Sequence, residues 1–560
     1  MKNNTAEQSS SENVLAWDTS DFLFIFIFVC MSAICVLFWW RGFLPFAFLG
    51  GDAGLYTAYV AALIDPDAFA KDATLYTAAN FSFYRILHLP LIIFMKDIFG
   101  HLGTSHLAIL APGIFIQMLG FYLLGRCLFK SKIPAFFLAL VSIGKLDMGI
   151  DYWGVIHDYE PRMLYQTLLP FVLLGIVKFA TNPRTWPWLM AAQGLLVWVH
   201  PPSAPPVALA TLIGLFCYAP ASWTYMRQLK WAIISGLVFL AVCMPFVLSF
   251  SGERPHGQLG NYNEMISIYR SALGSFYLDA IENAKMYMQG APFRYFLIPW
   301  AVLGALAARH CVKGQKRDIA FLIVTLIALV LASIGIAWVN QVYSETSQSL
   351  PLFYDMIRAL RLIVPFMLIL SVWGTSLWFE KYGRFVSIIS VTLVSLLWLG
   401  VNRPGSIPFR ATLSCFAKGQ VLCADDHMKY DFPVLEYLRT DVPSRSLILP
   451  VLSSDHNIDF PQAIRYHSYQ PVAYSYKDVN PILYNNHELL PQWLERRSAL
   501  AQIQSENNNT KKAAKISALA IKTKAEFVVA DYVIPDDLIA LIGSKTGNFE
   551  RFTLIRVKPE

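Results

Sequence analysis

The chain has 560 residues, of which 56% are hydrophobic and only 15% are charged. Soluble globular domains carry about 25% charged residues, so this composition excludes an ordinary cytosolic enzyme. The net charge of +7 is modest and spread along the chain, which argues against nucleic acid as a partner.

Charged residues are unevenly distributed along the chain. Residues 401–560 contain 19 Lys or Arg and 17 Asp or Glu, which is close to a soluble density, whereas residues 1–400 have about half that density. We therefore expect a polar cytoplasmic tail over residues 1–21, a transmembrane domain over residues 22–400, and a water-soluble domain over residues 401–560.

Apolar runs of about 20 residues are candidate transmembrane helices, because a helix rises 1.5 Å per residue across a hydrocarbon core of about 30 Å. The sequence predicts about eleven of them, near residues 22–40, 104–125, 133–150, 163–180, 185–200, 203–219, 230–250, 293–308, 319–339, 361–379 and 385–400. The segment 81–99 contains Arg85, His88 and Lys96 and is either a further span or a helix lying in the interface.

The charges of the connecting loops indicate the orientation of these spans. If residues 81–99 do not cross and the N-terminus is cytoplasmic, the cytoplasmic loops carry 13 Lys or Arg and two acidic residues. This asymmetry satisfies the positive-inside rule, whereas counting 81–99 as a span inverts every later loop. We therefore expect eleven spans in a cytoplasmic membrane, with residues 401–560 outside the cytoplasm.

The outer segment predicts a mixed α/β domain. A helix is expected over residues 432–440, and strands are expected over 446–451, 472–476, 526–532 and 552–557. The polar run 503–510 predicts a flexible loop. Cys415 and Cys423 lie in the same segment, where an oxidising compartment would favour a disulfide between them.

Four groups of conspicuous polar residues fall on the predicted outer side of the membrane. They are Asp52, Tyr56 and Asp72 in the loop after span one, Glu160 and Arg162 before span four, His200 in the turn between spans five and six, and Arg358 with Arg361 at the mouth of span ten. Ionisable groups at a bilayer are costly unless paired or hydrated, so a shared active cavity is the default hypothesis.

Each group also has a structural alternative. Asp52 could cap the helix that follows it, and Glu160 with Arg162 could form an interfacial ion pair. His200 could be a turn residue before two prolines, and Arg361 could extend towards lipid headgroups, as span-end arginines commonly do. The functional interpretation therefore depends on whether these groups converge.

The motifs that carry these residues resemble those of a known class. An acidic residue just after span one, followed by amphipathic interfacial helices, resembles the C-type glycosyltransferase (GT-C) fold of polytopic membrane enzymes. Gly51-Asp52-Ala53-Gly54-Leu55-Tyr56, Glu160-Pro161-Arg162, His200-Pro201 and Tyr474-Ser475-Tyr476-Lys477-Asp478 resemble bacterial multi-pass members with a C-terminal extracytoplasmic domain. The adjacent carboxylate pair of several members is absent here, because Ala53 and Gly54 follow Asp52.

The resemblance implies transfer of a sugar from a polyprenyl-phosphate-linked donor to an extracytoplasmic glycan, lipid or protein acceptor. The first outer loop, residues 41–103, would be catalytic, with Asp52 as the general base and Glu160 as the second catalytic residue. Six residues are expected to bind substrates, namely Tyr56, Asp72, Arg162, His200, Arg358 and Arg361. No metal or other cofactor is expected.

Two other classes of function stay open from the sequence. The first is a non-catalytic membrane protein that translocates or binds lipid-linked glycans, although the sequence lacks the paired halves with broken helices that are typical of transporters. The second is a structural protein that presents the outer domain. Turnover of a lipid-linked sugar separates the enzyme from both.

Overall fold

The computed structural model describes residues 17–39, 47–154, 159–253, 262–273, 279–311, 315–349, 356–380, 382–401, 417, 426–453 and 458–558. The chain divides into two compact units. The first unit comprises Met1–Cys35, Ala111–Leu248 and Gly257–Ile407, and the second comprises Val36–Leu110, Ser249–His256 and Pro408–Glu560. Cys415 and Cys423 lie outside the described residues, so their disulfide stays a prediction.

Helices dominate the described part of the chain. The α-helices up to residue 401 are α1 (Thr19–Trp39), α2 (Gly51–Ile64), α3 (His88–Phe99), α4 (Leu102–Ala108), α5 (Leu110–Phe129), α6 (Lys132–Ser142), α7 (Pro161–Phe179), α8 (Trp186–Leu195), α9 (Ala204–Leu215), α10 (Tyr225–Glu253), α11 (Tyr262–Leu273), α12 (Ala280–Tyr287), α13 (Ile298–Cys311), α14 (Lys316–Ser347), α15 (Ile363–Glu380) and α16 (Arg384–Val401). Those that follow are α17 (Asp426–Thr440), α18 (Phe460–Ser468), α19 (Val479–Tyr484), α20 (Leu490–Gln504), α21 (Asn509–Thr523) and α22 (Asp536–Ile542).

Six helices in the described part of the chain are long and apolar enough to cross a membrane. They are Thr19–Leu37, Leu102–Phe129, Pro161–Phe179, Tyr225–Phe250, Lys316–Ser347 and Met356–Glu380. Each of the eleven predicted spans overlaps a helix, but the others are shorter, such as α6 with 11 residues. The count of eleven therefore stays a prediction.

The ambiguous segment 81–99 is not one straight helix. A 3-10 helix over Ala78–Tyr84 and helix α3 meet at a bend of 104°. Only if this bent pair is counted as one span does the number of candidate spans rise to seven. Such a sharp break is compatible with the predicted interfacial position.

One end of the first unit is tied together by a buried carboxylate. Asp21, at the start of α1, is fully buried and accepts hydrogen bonds from Arg126 at 2.6 Å, Lys132 at 2.8 Å and Tyr122 at 2.5 Å. The end of α5 and the beginning of α6 therefore lie beside the beginning of α1. Helix α6, which is about 16 Å long, leads from this carboxylate into the segment that follows it. That segment contains the short hairpin of β1 (Leu146–Asp147) and β2 (Tyr152–Trp153).

A four-stranded mixed sheet forms the core of the C-terminal part of the second unit. Its strands are β3 (Ile448–Val451), β4 (Phe527–Ala530), β5 (Gly543–Asn548) and β6 (Thr553–Val557), in the order β3-β4-β6-β5. The β3–β4 pair is parallel and the other two are antiparallel. Both β3 and β4 are buried along their whole length, as their aliphatic sequences require.

One predicted element in this segment is wrong, and another is shorter than predicted. Residues 472–476 are not a strand, because only Val472 forms an isolated bridge, to Ile448, and a 3-10 helix follows over Tyr476–Asp478. The loop predicted over 503–510 is limited to residues 505–508, because α20 extends to Gln504 and α21 begins at Asn509. The side chain of Asn508 caps α21 by accepting a hydrogen bond from the Lys511 N–H, which converts part of a polar run into a helix start.

A buried histidine gives the second unit a pH-dependent stability. Burial lowers the pKa of His467, on α18, to about 4, despite the nearby Glu436. The unfolded chain, with a histidine pKa of about 6.5, therefore takes up a proton before the folded protein does as the pH falls. We expect the stability to be complete above pH 6.5 and to fall by about 2 to 3 kcal/mol as the pH approaches 4.

Unfolding of the purified protein at pH 7 and pH 5 measures this effect. His467→Gln should lose less stability between these two pH values than the wild-type chain, because glutamine does not titrate. His487→Gln, which changes a partly exposed histidine of the same unit, serves as the matched control. An unchanged pH dependence in His467→Gln would contradict the assignment.

Candidate active site

The residues singled out from the sequence fall into two clusters, one in each compact unit. Asp52, Tyr56 and Asp72 belong to the second unit. Glu160, Arg162, His200, Arg358 and Arg361 belong to the first. Each cluster is described by itself.

The backbone before Asp52 is shaped by glycine. Gly51 adopts a φ of 59°, a left-handed conformation that costs glycine little and other residues more. Its N–H donates a hydrogen bond of 2.7 Å to Oδ2 of Asp459. The first N–H groups of a helix have no partner within the helix, and at the start of α2 the Asp459 carboxylate, from elsewhere in the second unit, accepts a hydrogen bond from one of them.

Asp52 does not cap this helix. The N-cap position is Gly50, where no side chain makes a capping hydrogen bond, and Asp52 lies in the first turn. Its Oδ1 instead accepts a hydrogen bond of 3.1 Å from Nζ of Lys477. The Asp52 side chain is 29% exposed and that of Lys477 is 20% exposed, so both are accessible to a small reactant.

A second carboxylate contributes to the electrostatics at Asp52. Burial raises the pKa of Asp459, while the charge of Lys477 and the Gly51 N–H act in the opposite direction and the charge of Asp52 adds to the rise. Two carboxylates and one ammonium therefore share this position.

Tyr56 lies one turn beyond Asp52 on α2 and is 8% exposed. Its ring packs edge-to-face against Tyr59, Tyr84 and His88, with centroid distances between 5.5 and 6.0 Å. Edge-to-face packing of this kind stabilises a rigid aromatic wall beside the carboxylate.

Asp72 occupies a different environment from Asp52. Its side chain is fully buried and paired with Arg465, whose Nε and Nη2 donate to it at 2.9 and 2.7 Å. It also accepts hydrogen bonds from the backbone N–H groups of Thr74, Leu75 and Val472. Five donors and complete burial favour a structural role over the predicted substrate contact, which stays untested.

The cluster in the first unit is centred on Asp151, in the hairpin after α6. Its Oδ2 accepts hydrogen bonds from Nη1 of Arg361 at 2.9 Å and from the hydroxyl of Tyr287 at 3.2 Å. Its Oδ1 accepts from Nη1 of Arg162 at 3.2 Å. Asp151 is 5% exposed, so this one carboxylate holds together two guanidinium groups that would otherwise repel each other.

A glycine allows the hairpin to approach the segment that carries Tyr287. Gly149 has a φ of 107°, and a Cβ at this position would lie 2.1 Å from the carbonyl oxygen of Met286. Any larger residue would therefore separate Asp151 from Tyr287. The second residue of the hairpin's β2 strand, Trp153, is fully buried and anchors it.

Glu160 and Arg162 form the ion pair that was considered as their structural alternative. Nε of Arg162 lies 2.5 Å from Oε2 of Glu160, and the guanidinium group covers the ring of Tyr152 at 4.3 Å from its centroid. The side chain of Arg162 is 11% exposed. Glu160 precedes Pro161, the first residue of α7, which fixes where this pair lies.

His200 and Arg361 meet through a hydroxyl group. Nδ1 of His200 lies 2.8 Å from Oγ of Ser203, which accepts a hydrogen bond of 3.2 Å from Nη2 of Arg361. Arg361 is only 1% exposed, and both of its terminal nitrogens are engaged. Arg358, on the same 3-10 helix, is partly exposed. Of these two arginines, Arg358 is the better placed to meet a ligand from solvent.

The structure thus brings together Glu160, Arg162, His200 and Arg361, and the residue that joins them is Asp151, which sequence reasoning missed. The sequence could have indicated Asp151, because this acidic residue directly follows the predicted span 133–150, on the same outer side as the other candidates. Asp459 was also missed, because nothing in its local sequence relates it to a loop some 400 residues earlier.

Substitution of Asp151 should show how much this cluster depends on one charge. Asp151→Asn removes the carboxylate that pairs with the buried Arg361, while Arg162 keeps its ion pair with Glu160, and we expect a loss of about 2 kcal/mol in stability. Thermal unfolding of the purified protein measures it. Asp147→Asn, on the exposed end of the same hairpin, is the matched control. Equal unfolding temperatures for the two variants would contradict the central position of Asp151.

Metal ligands were not expected from the sequence. Within the described ranges of the chain, no three His, Cys, Asp or Glu side chains are grouped as a metal ion requires. Assays of the protein with and without divalent cations would test whether sugar transfer needs one.

Comparison with known proteins identifies no family for this chain. No protein-family model matches the chain, and no curated protein is significantly similar to it. Solved structures similar to the chain include the archaeal oligosaccharyltransferase AglB from Archaeoglobus fulgidus, described in complex with an inhibitory peptide and a dolichol-phosphate. The two chains are 13% identical, with a TM-score of 0.48, over 92% of this chain and 70% of the archaeal one.

Proposed function

We propose that this chain is a membrane glycosyltransferase that moves a sugar from a polyprenyl-phosphate-linked donor to an acceptor outside the cytoplasm. The observation that carries the proposal is the position of Asp52. Its carboxylate is partly exposed, lies in the first turn of a helix without capping it, and is held by Lys477. A partly exposed carboxylate that an ammonium group holds in place is a good candidate for a general base.

The proposed reaction is a single displacement at the anomeric carbon of the sugar. An acceptor hydroxyl or amide attacks this carbon and loses its proton to Asp52. The bond between the anomeric carbon and the phosphate oxygen breaks, and polyprenyl phosphate leaves as a stable anion. A general acid is therefore unnecessary, and what the reaction needs is positive charge near the phosphate.

For the cluster around Asp151, taken by itself within the first unit, we propose phosphate binding by its guanidinium groups. Arg162 and Arg358 are the most accessible of its guanidinium groups, and arginine binds phosphate oxygens bidentately. Because the terminal nitrogens of Arg361 already bind Asp151 and Ser203, we assign to Arg361 the task of orienting this cluster. Glu160 would fix Arg162, and His200 would act through Ser203.

The proposal includes a location and an orientation. We place the chain in the cytoplasmic membrane of a bacterium, with residues 401–560 outside the cytoplasm, on the strength of the loop charges. The apolar helices support a multi-pass membrane protein. Acceptors in the cell envelope, whether glycan, lipid or protein, would be reached from that side.

Incubation of the purified protein with a synthetic short-chain polyprenyl phosphate that carries a labelled sugar tests the function. We expect label to leave the lipid and an equal amount of polyprenyl phosphate to appear, because the donor bond is the one that breaks. Donor that binds and is recovered intact, across a range of acceptors that includes the membrane lipids of the source, would instead support a transporter or a binding protein.

A further inference from the structure

We propose that Lys477 is a positioning residue for Asp52, which holds the carboxylate ionised and oriented for proton transfer. The inference rests on the proposed function, because it gives Asp52 the task of a base. It assigns to the C-terminal segment a direct part in the chemistry of the first outer loop.

Lys477 is held by a rigid local structure. It is the middle residue of the 3-10 helix Tyr476–Asp478, and its N–H donates to the side chain of Ser475 at 3.2 Å. Oγ of Ser475 in turn accepts a hydrogen bond of 2.7 Å from Nε2 of Gln462. The residue after Lys477 is Asp478, which is buried and paired with Arg465. Ser475 and Asp478, on either side of Lys477, are therefore held by hydrogen bonds, which limits the positions available to its ammonium group.

The backbone next to Asp52 is also held by a hydrogen bond. The Gly51 N–H binds Asp459, and the next residue, Asp52, binds Lys477 at 3.1 Å. Asp459 and Tyr59 are titratable groups that interact electrostatically with Asp52. His88 and His106 face α2 further along, beside Tyr56 and Thr57. The ammonium group of Lys477 is in direct contact with the Asp52 carboxylate.

The positive charge of Lys477 offsets the repulsion between the carboxylates of Asp52 and Asp459. If the ammonium were removed, the negative charges of Asp52 and Asp459 would oppose each other, and one of the two would retain a proton to higher pH. A base that is already protonated cannot accept a proton from the acceptor. Lys477 therefore favours the ionised form of Asp52, which is the form that can accept a proton. An opposite charge at this distance moves the titration of a carboxyl by one to three pH units, and partial exposure favours about one.

Two substitutions at Lys477 test the inference through the pH dependence of sugar transfer. In Lys477→Met the acidic limb of the pH–rate profile should move up by about one pH unit. The rate should accordingly fall about tenfold on that limb and recover at alkaline pH, while KM for the donor stays the same. Lys477→Arg keeps the charge and should retain the wild-type profile. Lys522→Met, which removes an exposed lysine paired with Glu495 in the same unit, is the matched control.

The outcomes separate a positioning role from a merely structural one. A lower rate at every pH with an unmoved limb would overturn the inference, because loss of structure does not shift a titration. An unchanged rate and profile in Lys477→Met would overturn it as well. Rescue by Lys477→Arg together with the shifted limb in Lys477→Met supports it.

A second measurement keeps the inference distinguishable from the proposed function. If the wild-type chain transfers no sugar from any polyprenyl-phosphate donor, the proposed function fails, and with it the role of Asp52 as a base. The contact itself is then decided by a double-mutant cycle of Asp52→Asn and Lys477→Met in thermal unfolding. Non-additive shifts in Tm would retain the pair as a structural contact, and additive shifts would refute it.

Discussion

Asp52→Asn should lower the turnover of a lipid-linked sugar by about 10² to 10⁴, the range that general-base catalysis typically contributes. Asparagine keeps the size of the side chain and can still accept a hydrogen bond from Lys477, but it cannot take up a proton. Because Asp52 does not cap α2, the substitution should leave folding nearly unchanged. Initial rates of the purified variant and its unfolding temperature measure the two effects separately.

The matched control for this experiment is Asp67→Asn. Asp67 lies in the same outer loop, and its side chain is 79% exposed in a weak ion pair with Arg445. The Asp67→Asn variant should transfer sugar at the wild-type rate. If Asp52→Asn were as active as this control, Asp52 would not be the base, and Glu160 would be the next carboxylate to substitute.

Arg465→Ala should have the largest effect on stability. Arg465 is fully buried and binds two carboxylates, Asp72 at 2.7 Å and Asp478 at 2.6 Å. Its removal leaves two buried negative charges uncompensated, and breaking a buried ion pair in this way typically costs about 3 to 5 kcal/mol. We expect the second unit of the variant to unfold at a much lower temperature or denaturant concentration, with the yield of folded protein reduced.

Arg445→Ala is the control for that loss. The side chain of Arg445 is 56% exposed, and exposed ion pairs typically contribute less than about 1 kcal/mol. If Arg465→Ala were as stable as Arg445→Ala, the buried network would have no structural importance. In that case the predicted role of Asp72 in substrate binding would regain support.

The positions of the helices could be predicted well from the sequence, but their lengths could not. Apolar runs revealed a helix at each predicted span, because hydrophobicity is a local property. The run near 133–150 was predicted as one span, yet helix α6 ends at Ser142 and the chain turns into a hairpin. Gly149 lies in this stretch with a φ of 107°, a conformation that glycine adopts at little cost and that permits the turn.

The candidate site could be predicted only in part, because charge compensation is not local. Asp52, Arg162 and Arg361 were recognised as costly residues near a membrane surface. Their counter-ions, Lys477 and Asp151, could not be paired with them from the sequence. Lys477 lies 425 residues from Asp52 along the chain, and Asp151 lies 210 residues from Arg361. Sequence spacing carries no information on such contacts, which tertiary packing alone creates.

The central claim is tested most directly by the number of sugar molecules that each protein molecule transfers. The purified protein is reconstituted in lipid vesicles and supplied with a labelled polyprenyl-phosphate donor. A transferase should form many product molecules for each protein molecule, and Asp52→Asn should reduce the rate at least about a hundredfold in the same vesicles. Donor retained at one molecule per protein, or moved across the vesicle membrane with its sugar still attached, would contradict the assignment as a glycosyltransferase.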